Sequence, residues 1–140
     1  MTRYAIDADV AVQVLRRRPV LGPGDSLVAP SVLRSQVLST LYREVRAGAL
    51  DRPEARRQLE LLAELKIRLL GDRVSRARAW ELAERLGWPD TQPAEYLAVA
   101  ALQADVLVTD DHTLATAALG LVTVVGSGAF FAEGGPGARG

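Results

Sequence analysis

The chain has 140 residues, enough for one hydrophobic core, with 49% hydrophobic and 5% aromatic residues. Its 17 basic and 17 acidic residues cancel, which excludes the strong overall attraction to nucleic acid of a basic domain and leaves only a local basic face. It has no cysteine and one histidine, His112, so disulfides, thiolate metal sites and histidine-rich zinc sites are excluded.

Residues 3–7 read as a first strand, an apolar run that starts almost at Met1. Met1-Thr2-Arg3-Tyr4 has no signal-peptide pattern and no apolar run approaches a membrane span, so the cytoplasm is the expected compartment. Asp9 can cap a helix over Val10 to about Arg17, with Val10, Val14 and Leu15 inside. Leu21 to Asp25 is a loop, and Leu27-Val28-Ala29 a short second strand. Pro30-Ser31 opens a helix with Leu33, Val37, Leu41 and Val45 on one stripe and Gly48 as its stop. The next helix starts near Asp51-Arg52-Pro53 and carries Leu59, Leu62 and Ala63. Lys66 to Leu70 alternates with period two and predicts a third strand, ended by Gly71-Asp72.

Ser75 or Asp72 caps the following helix, with Ala79, Leu82, Ala83 and Leu86 facing inward until Gly87. Trp88 to Thr91 is a loop, and Trp80 and Trp88 are expected to pack. A helix runs from about Gln92-Pro93 to Leu102 with Tyr96, Leu97, Val99 and Ala100 buried. Asp105 to Thr109 is the fourth strand, Thr113 to Leu119 a short helix, and Leu121 to Val125 the fifth strand. Residues 1–126 form the predicted domain, and 127–140 read as a glycine-rich, disordered tail. Strands alternating with helices predict a three-layer α/β/α sandwich around a mainly parallel five-stranded sheet.

Two of the strands end in acids: Tyr4-Ala5-Ile6-Asp7, with Asp9 beyond it, and Val106-Leu107-Val108-Thr109, followed by Asp110 and Asp111. Sites in open α/β sheets form outside the carboxyl ends of strands, so Asp7 and Asp111 suggest a magnesium or manganese site. Either acid also suits plain helix capping, and a site role is favoured once the surrounding blocks are considered.

Those blocks are Tyr4-Ala5-Ile6-Asp7, Ala29-Pro30-Ser31-Val32-Leu33-Arg34-Ser35-Gln36, Ala94-Glu95-Tyr96-Leu97-Ala98, and Val108-Thr109-Asp110-Asp111 with Leu114-Ala115. In order and spacing they resemble the PIN-domain family, within it the VapC-type toxins of bacterial toxin–antitoxin pairs, over about residues 3–126. The resemblance implies a PIN-like fold, metal-dependent endoribonuclease activity on RNA, a cognate antitoxin and a homodimer. It places Asp7 at the family's first acidic position and Asp111 at its last, with Thr109 as the hydroxyl of the Thr-x-Asp motif. Gln36 stands where the family has a glutamate, and Pro93 where it has an aspartate. Magnesium takes six hard oxygen ligands, and a two-ion site needs several carboxylates. Each carboxylate–cation pair at ~4 Å is worth about 1–4 kcal/mol, so two missing acids imply impaired metal binding and impaired hydrolysis.

Other acids are candidate substitutes. Asp9, beside Asp7, ranks first as a further metal ligand and Asp90 second, although a helix cap and a turn are their ordinary roles. Glu95, two residues after Pro93, points roughly 200° away on a helix. Asp110 is expected to point elsewhere, and His112 to be a surface residue in the first turn of a helix. The arginines of 16–18, 52–57 and 68–78 read mostly as solvated faces balanced by glutamates. Two other readings stand beside the nuclease. One is a non-catalytic PIN-fold module that binds antitoxin or RNA; the other is an unrelated flavodoxin-like domain, which sheet order separates.

Overall fold

The apolar runs pair into one sheet because each is too short to bury its own faces. In the computed structural model, which describes residues 1–132, the strands are β1 (Arg3–Ile6), β2 (Ser26–Pro30), β3 (Ile67–Leu70), β4 (Val106–Val108) and β5 (Thr123–Val125). The helices are α1 (Ala8–Arg17), α2 (Leu33–Arg46), α3 (Arg52–Glu64), α4 (Arg73–Leu86), α5 (Gln92–Gln103), α6 (His112–Ala118) and α7 (Ser127–Ala132). Sheet order is β3-β2-β1-β4-β5 and every pairing is parallel. The expected three-layer α/β/α architecture is therefore present.

β1 is the central strand. Tyr4 faces Leu27 of β2 on one side and Val106 of β4 on the other. The chain winds from β1 outward through β2 and β3, then returns to the other side of β1 for β4 and β5. The direction of winding reverses between β1 and β4, and an open sheet leaves a crevice outside its strand ends at such a point. Asp7 leaves β1 there, and Thr109 to Asp111 leave β4 there.

The core lies on both faces of β1, β2 and β4, where Ile6, Ala29, Leu107 and Val108 are wholly buried. α5 is buried almost all round, from Ala94 through Ala100 except Glu95, and packs on α4, β1 and β2. Among the described residues no helix is long and apolar enough to cross a membrane.

Several boundaries differ from the sequence expectation for physical reasons. Asp7, not Asp9, caps α1: its backbone is extended and its Oδ1 accepts from the Val10 N–H at 2.9 Å. Asp72, not Ser75, caps α4, and Ser75 returns its hydroxyl to Asp72 Oδ1 at 2.6 Å. β5 starts two residues late because Leu121 and Val122 donate to the Ala118 carbonyl, closing the turn after α6. Trp80 is exposed, at the edge of the α4 stripe of Ala79, Leu82 and Ala83 rather than within it, and Leu86 at the helix end is also exposed.

The expected tail begins with ordered helix. α7 is capped by Asp110, which accepts from the Ser127 N–H at 2.8 Å and hydroxyl at 2.5 Å. Phe130 stacks edge-on against Tyr4 and Phe131, and both phenylalanines are buried. α7 thus packs on the same core as the strands and helices before it. Residues 133–140 of the expected tail lie outside the described residues.

Candidate active site at the sheet switch point

Asp7 is held from both sides. Its Oδ1 caps α1, and its Oδ2 accepts the Thr109 hydroxyl at 2.5 Å across β1 and β4. Thr109 is buried, and its Oγ1 accepts in turn from the Asp111 N–H at 3.0 Å. Asp111 Oδ1 caps α6 by accepting from the Leu114 N–H at 2.9 Å. Asp7, Thr109 and Asp111 thus form one chain across the switch point. Asp110 faces away toward Ser127, as its sequence position suggests.

A cleft of about 680 Å³ opens over these acids. Its floor carries Asp7, Asp9 and Asp111; Gln36, Gln92, Pro93 and Tyr96 line it from α2 and α5. At the second expected acid position, Gln36 Oε1 accepts the Tyr96 hydroxyl at 2.5 Å, and Gln36 Nε2 donates to Gln92 Oε1 at 3.1 Å. A neutral hydrogen-bonded triad thus occupies that place. Burial, then the nearby charges of Asp7, Glu95 and Asp9, push the Tyr96 phenol well above its ordinary range, so it stays a donor.

Burial also raises the Asp7 carboxyl above its ordinary value, against the lowering effects of the Thr109 hydroxyl and the Val10 N–H; the charges of Asp9 and Asp110 add to the rise. In the unfolded chain Asp7 loses its proton near 3.8, whereas in the fold it keeps it to higher pH. Over that window the native state binds the extra proton, so its contribution to stability falls as pH rises through the folded value. Asp7→Asn keeps the cap acceptor and removes the buried charge. In EDTA at pH 7 it should raise the Tm, with the gain vanishing toward pH 3.8. A thermal melt series against pH checks this; a lower Tm for the variant at pH 7 would mean that the hydrogen bonds from Thr109 and Val10 stabilise the carboxylate by more than its burial costs.

No family model and no curated protein matches the sequence. Solved structures do match the fold. PAE2754 from Pyrobaculum aerophilum is 20% identical with a TM-score of 0.73, over 95% of each chain. VapBC-1 from nontypeable Haemophilus influenzae is 17% identical with a TM-score of 0.61, over 89% of this chain and 98% of the other. VapBC2 from Rickettsia felis, bound to a DNA fragment from their promoter, is 10% identical with a TM-score of 0.62 over the same shares.

The chain has the PIN-like fold. Within it, Asp7, Gln36, Pro93 and Asp111 all line one cleft, so the four positions singled out in the sequence are neighbours in space. The two substitute acids also reach it. Asp9 is exposed on the first turn of α1, and Asp90 Oδ1 accepts from the Gln92 N–H at 3.1 Å, the turn role its position suggests. Glu95 lies on the other face of α5, in a small pocket with Pro30, Gly71 and Arg76.

The donor set does not fit a two-ion centre. Among the described residues no three of histidine, cysteine, aspartate and glutamate come together closely enough to hold a metal. Gln36 has its oxygen committed to Tyr96, and Pro93 offers no ligand atom. His112 is exposed and enters no site.

Part of the cleft lining escaped the sequence reading. Ser39, Thr40 and Arg43 line the cleft from α2, and Trp88 and Pro89 from the loop after α4. A signal existed for the first group: Gln36, Ser39, Thr40 and Arg43 follow helical spacing on a polar stripe separate from Leu33, Val37 and Leu41.

Proposed function

We propose that this chain is a VapC-related protein of a toxin–antitoxin pair, descended from metal-dependent endoribonucleases, with phosphodiester hydrolysis on RNA impaired at the metal-binding stage. One observation carries the reading: Gln36, tied to Tyr96 and Gln92, stands where the resemblance expects a glutamate, beside a proline where it expects an aspartate. Asp7 and Asp111, joined through Thr109, are the remaining half of that site, with Asp9 as the nearest further carboxylate. Magnesium or manganese would then be bound weakly by the parent chain. The VapBC neighbours support an antitoxin as partner, and the resemblance adds homodimerisation.

The test is RNA cleavage and manganese binding by the purified chain beside Asp7→Asn and Asp111→Asn. Manganese affinity should be too weak to saturate at millimolar concentration, and cleavage in manganese should not exceed that of either variant. Efficient cleavage by the parent that Asp7→Asn abolishes would overturn the impairment and restore an active nuclease.

A further inference from the structure

Beside the acids, the cleft lining carries residues equipped for a different task. Arg43 is the cation among them. Its Nη1 donates to Ser39 Oγ at 2.8 Å and its Nη2 to Thr40 Oγ1 at 3.3 Å, which steadies the guanidinium along α2. Among the described residues Arg43 forms no ion pair, whereas Arg16 is paired with Glu44, Arg57 with Glu54, and Arg78 and Arg85 with Glu81. Its charge is therefore available to a ligand.

Trp88 is placed by helix-end chemistry. α4 stops at Gly87, whose φ of +69° is left-handed, and the Gly87 and Trp88 N–H groups turn back to the Glu84 and Ala83 carbonyls at 3.2 and 2.9 Å. This double closure fixes where the indole leaves the backbone. Trp88 is half-buried: it packs on the core and also lines the cleft. An indole and an unpaired guanidinium lining one groove suit single-stranded nucleic acid, a flat apolar face for a base and a cation for the phosphate.

We infer that Trp88 and Arg43 form a metal-independent nucleotide subsite, in which Trp88 stacks an unpaired base of RNA and Arg43 binds a neighbouring phosphate. It deepens the RNA reading above and rests on it. Asp7, Asp9, Asp90 and Asp111 share the cleft, so the phosphate is placed at Arg43 itself, beside the uncharged hydroxyls of Ser39 and Thr40.

The experiment is binding of a short, fluorescein-labelled single-stranded RNA in EDTA, read by anisotropy. A second readout uses Trp80→Phe; Trp80 is exposed and distant from the cleft lining, so the variant leaves Trp88 as the sole tryptophan of the two. Addition of the RNA should quench Trp88 emission. Trp88→Leu, which keeps apolar packing, and Arg43→Gln should each weaken binding about tenfold, while Trp88→Phe retains most of it. Arg43→Gln should also flatten the dependence of log K on log salt by about 0.7, as expected for one lost phosphate contact on a single strand. Arg85→Gln, on a solvated face, should change nothing.

RNA binding that ignores Trp88→Leu and Arg43→Gln, with unquenched Trp88, would overturn the subsite and leave the RNA reading standing. A mononucleotide that binds as tightly as the oligonucleotide would overturn recognition of a chain. Absence of RNA binding in every form would bring down both the subsite and the RNA reading.

Discussion

Introducing two acids in Gln36→Glu, Pro93→Asp should raise manganese affinity by about two orders of magnitude, measured by calorimetric titration. Each new carboxylate at ~4 Å from an ion adds about 1–4 kcal/mol, so the pair supplies enough for that gain on the lower part of the range. Both positions already line the cleft with Asp7 and Asp111, so the new groups enter the site without rearrangement. The fold should tolerate them. Pro93 occupies the first turn of α5, where aspartate is favourable to the helix dipole. The carboxylate introduced by Gln36→Glu still accepts the Tyr96 hydroxyl, and the Gln92 amide rotates to donate to it. A folded double variant with parental manganese affinity would show that the missing ligands are misplaced. Cleavage gained along with affinity would locate the impairment at metal binding.

The second large effect is structural. Leu97→Ala should cost about 2–5 kcal/mol, read as a lower midpoint in urea with an unchanged slope. Leu97 is wholly buried, and α5 supports α4, β1 and β2 at once, so no single neighbour can move in to fill the space. The substitution also reaches the site. Tyr96, next in the chain, directs its hydroxyl at Gln36, and a loosened α5 weakens that bond. A loss below about 1 kcal/mol would mean that α5 repacks more freely than its burial implies.

Much of this fold is legible in local chemistry. The strands are apolar runs, and α2, α3 and α4 are bounded by the residues that stop or start helices: Gly48, Asp51, Asp72 and Gly87. Asp7 and Asp111 are legible for the same reason, because an acid after a buried strand suits both a cap and a site. Composition is a poor guide at the end of the chain. Glycine signals a loose tail from 127, but Phe130 and Phe131 have the core beside Tyr4 to bury against, and Asp110 supplies a cap from 17 residues away. Trp80 misleads in the opposite sense, since residue type predicts burial only when the helix face agrees. The Gln36–Tyr96 bond joins residues 60 apart, and the wall of Arg43 and Trp88 joins α2 to the loop after α4. Such neighbours meet only through the tertiary fold, so no window of sequence contains them.

The bond between Asp7 and Thr109 spans 102 residues. It therefore has a consequence for synthesis on the ribosome. At ordinary elongation rates the two halves of the site are made about 5–20 s apart. During that interval β1 can pair with β2 and β2 with β3, but the edge of β1 that β4 will take stays open. The nascent protein is thus a partial sheet with no cleft, and whatever the cleft binds meets it only after β4 has been made. Conditions that slow the ribosome between β3 and β4 should lengthen the life of that open-edged intermediate and with it the hazard of aggregation.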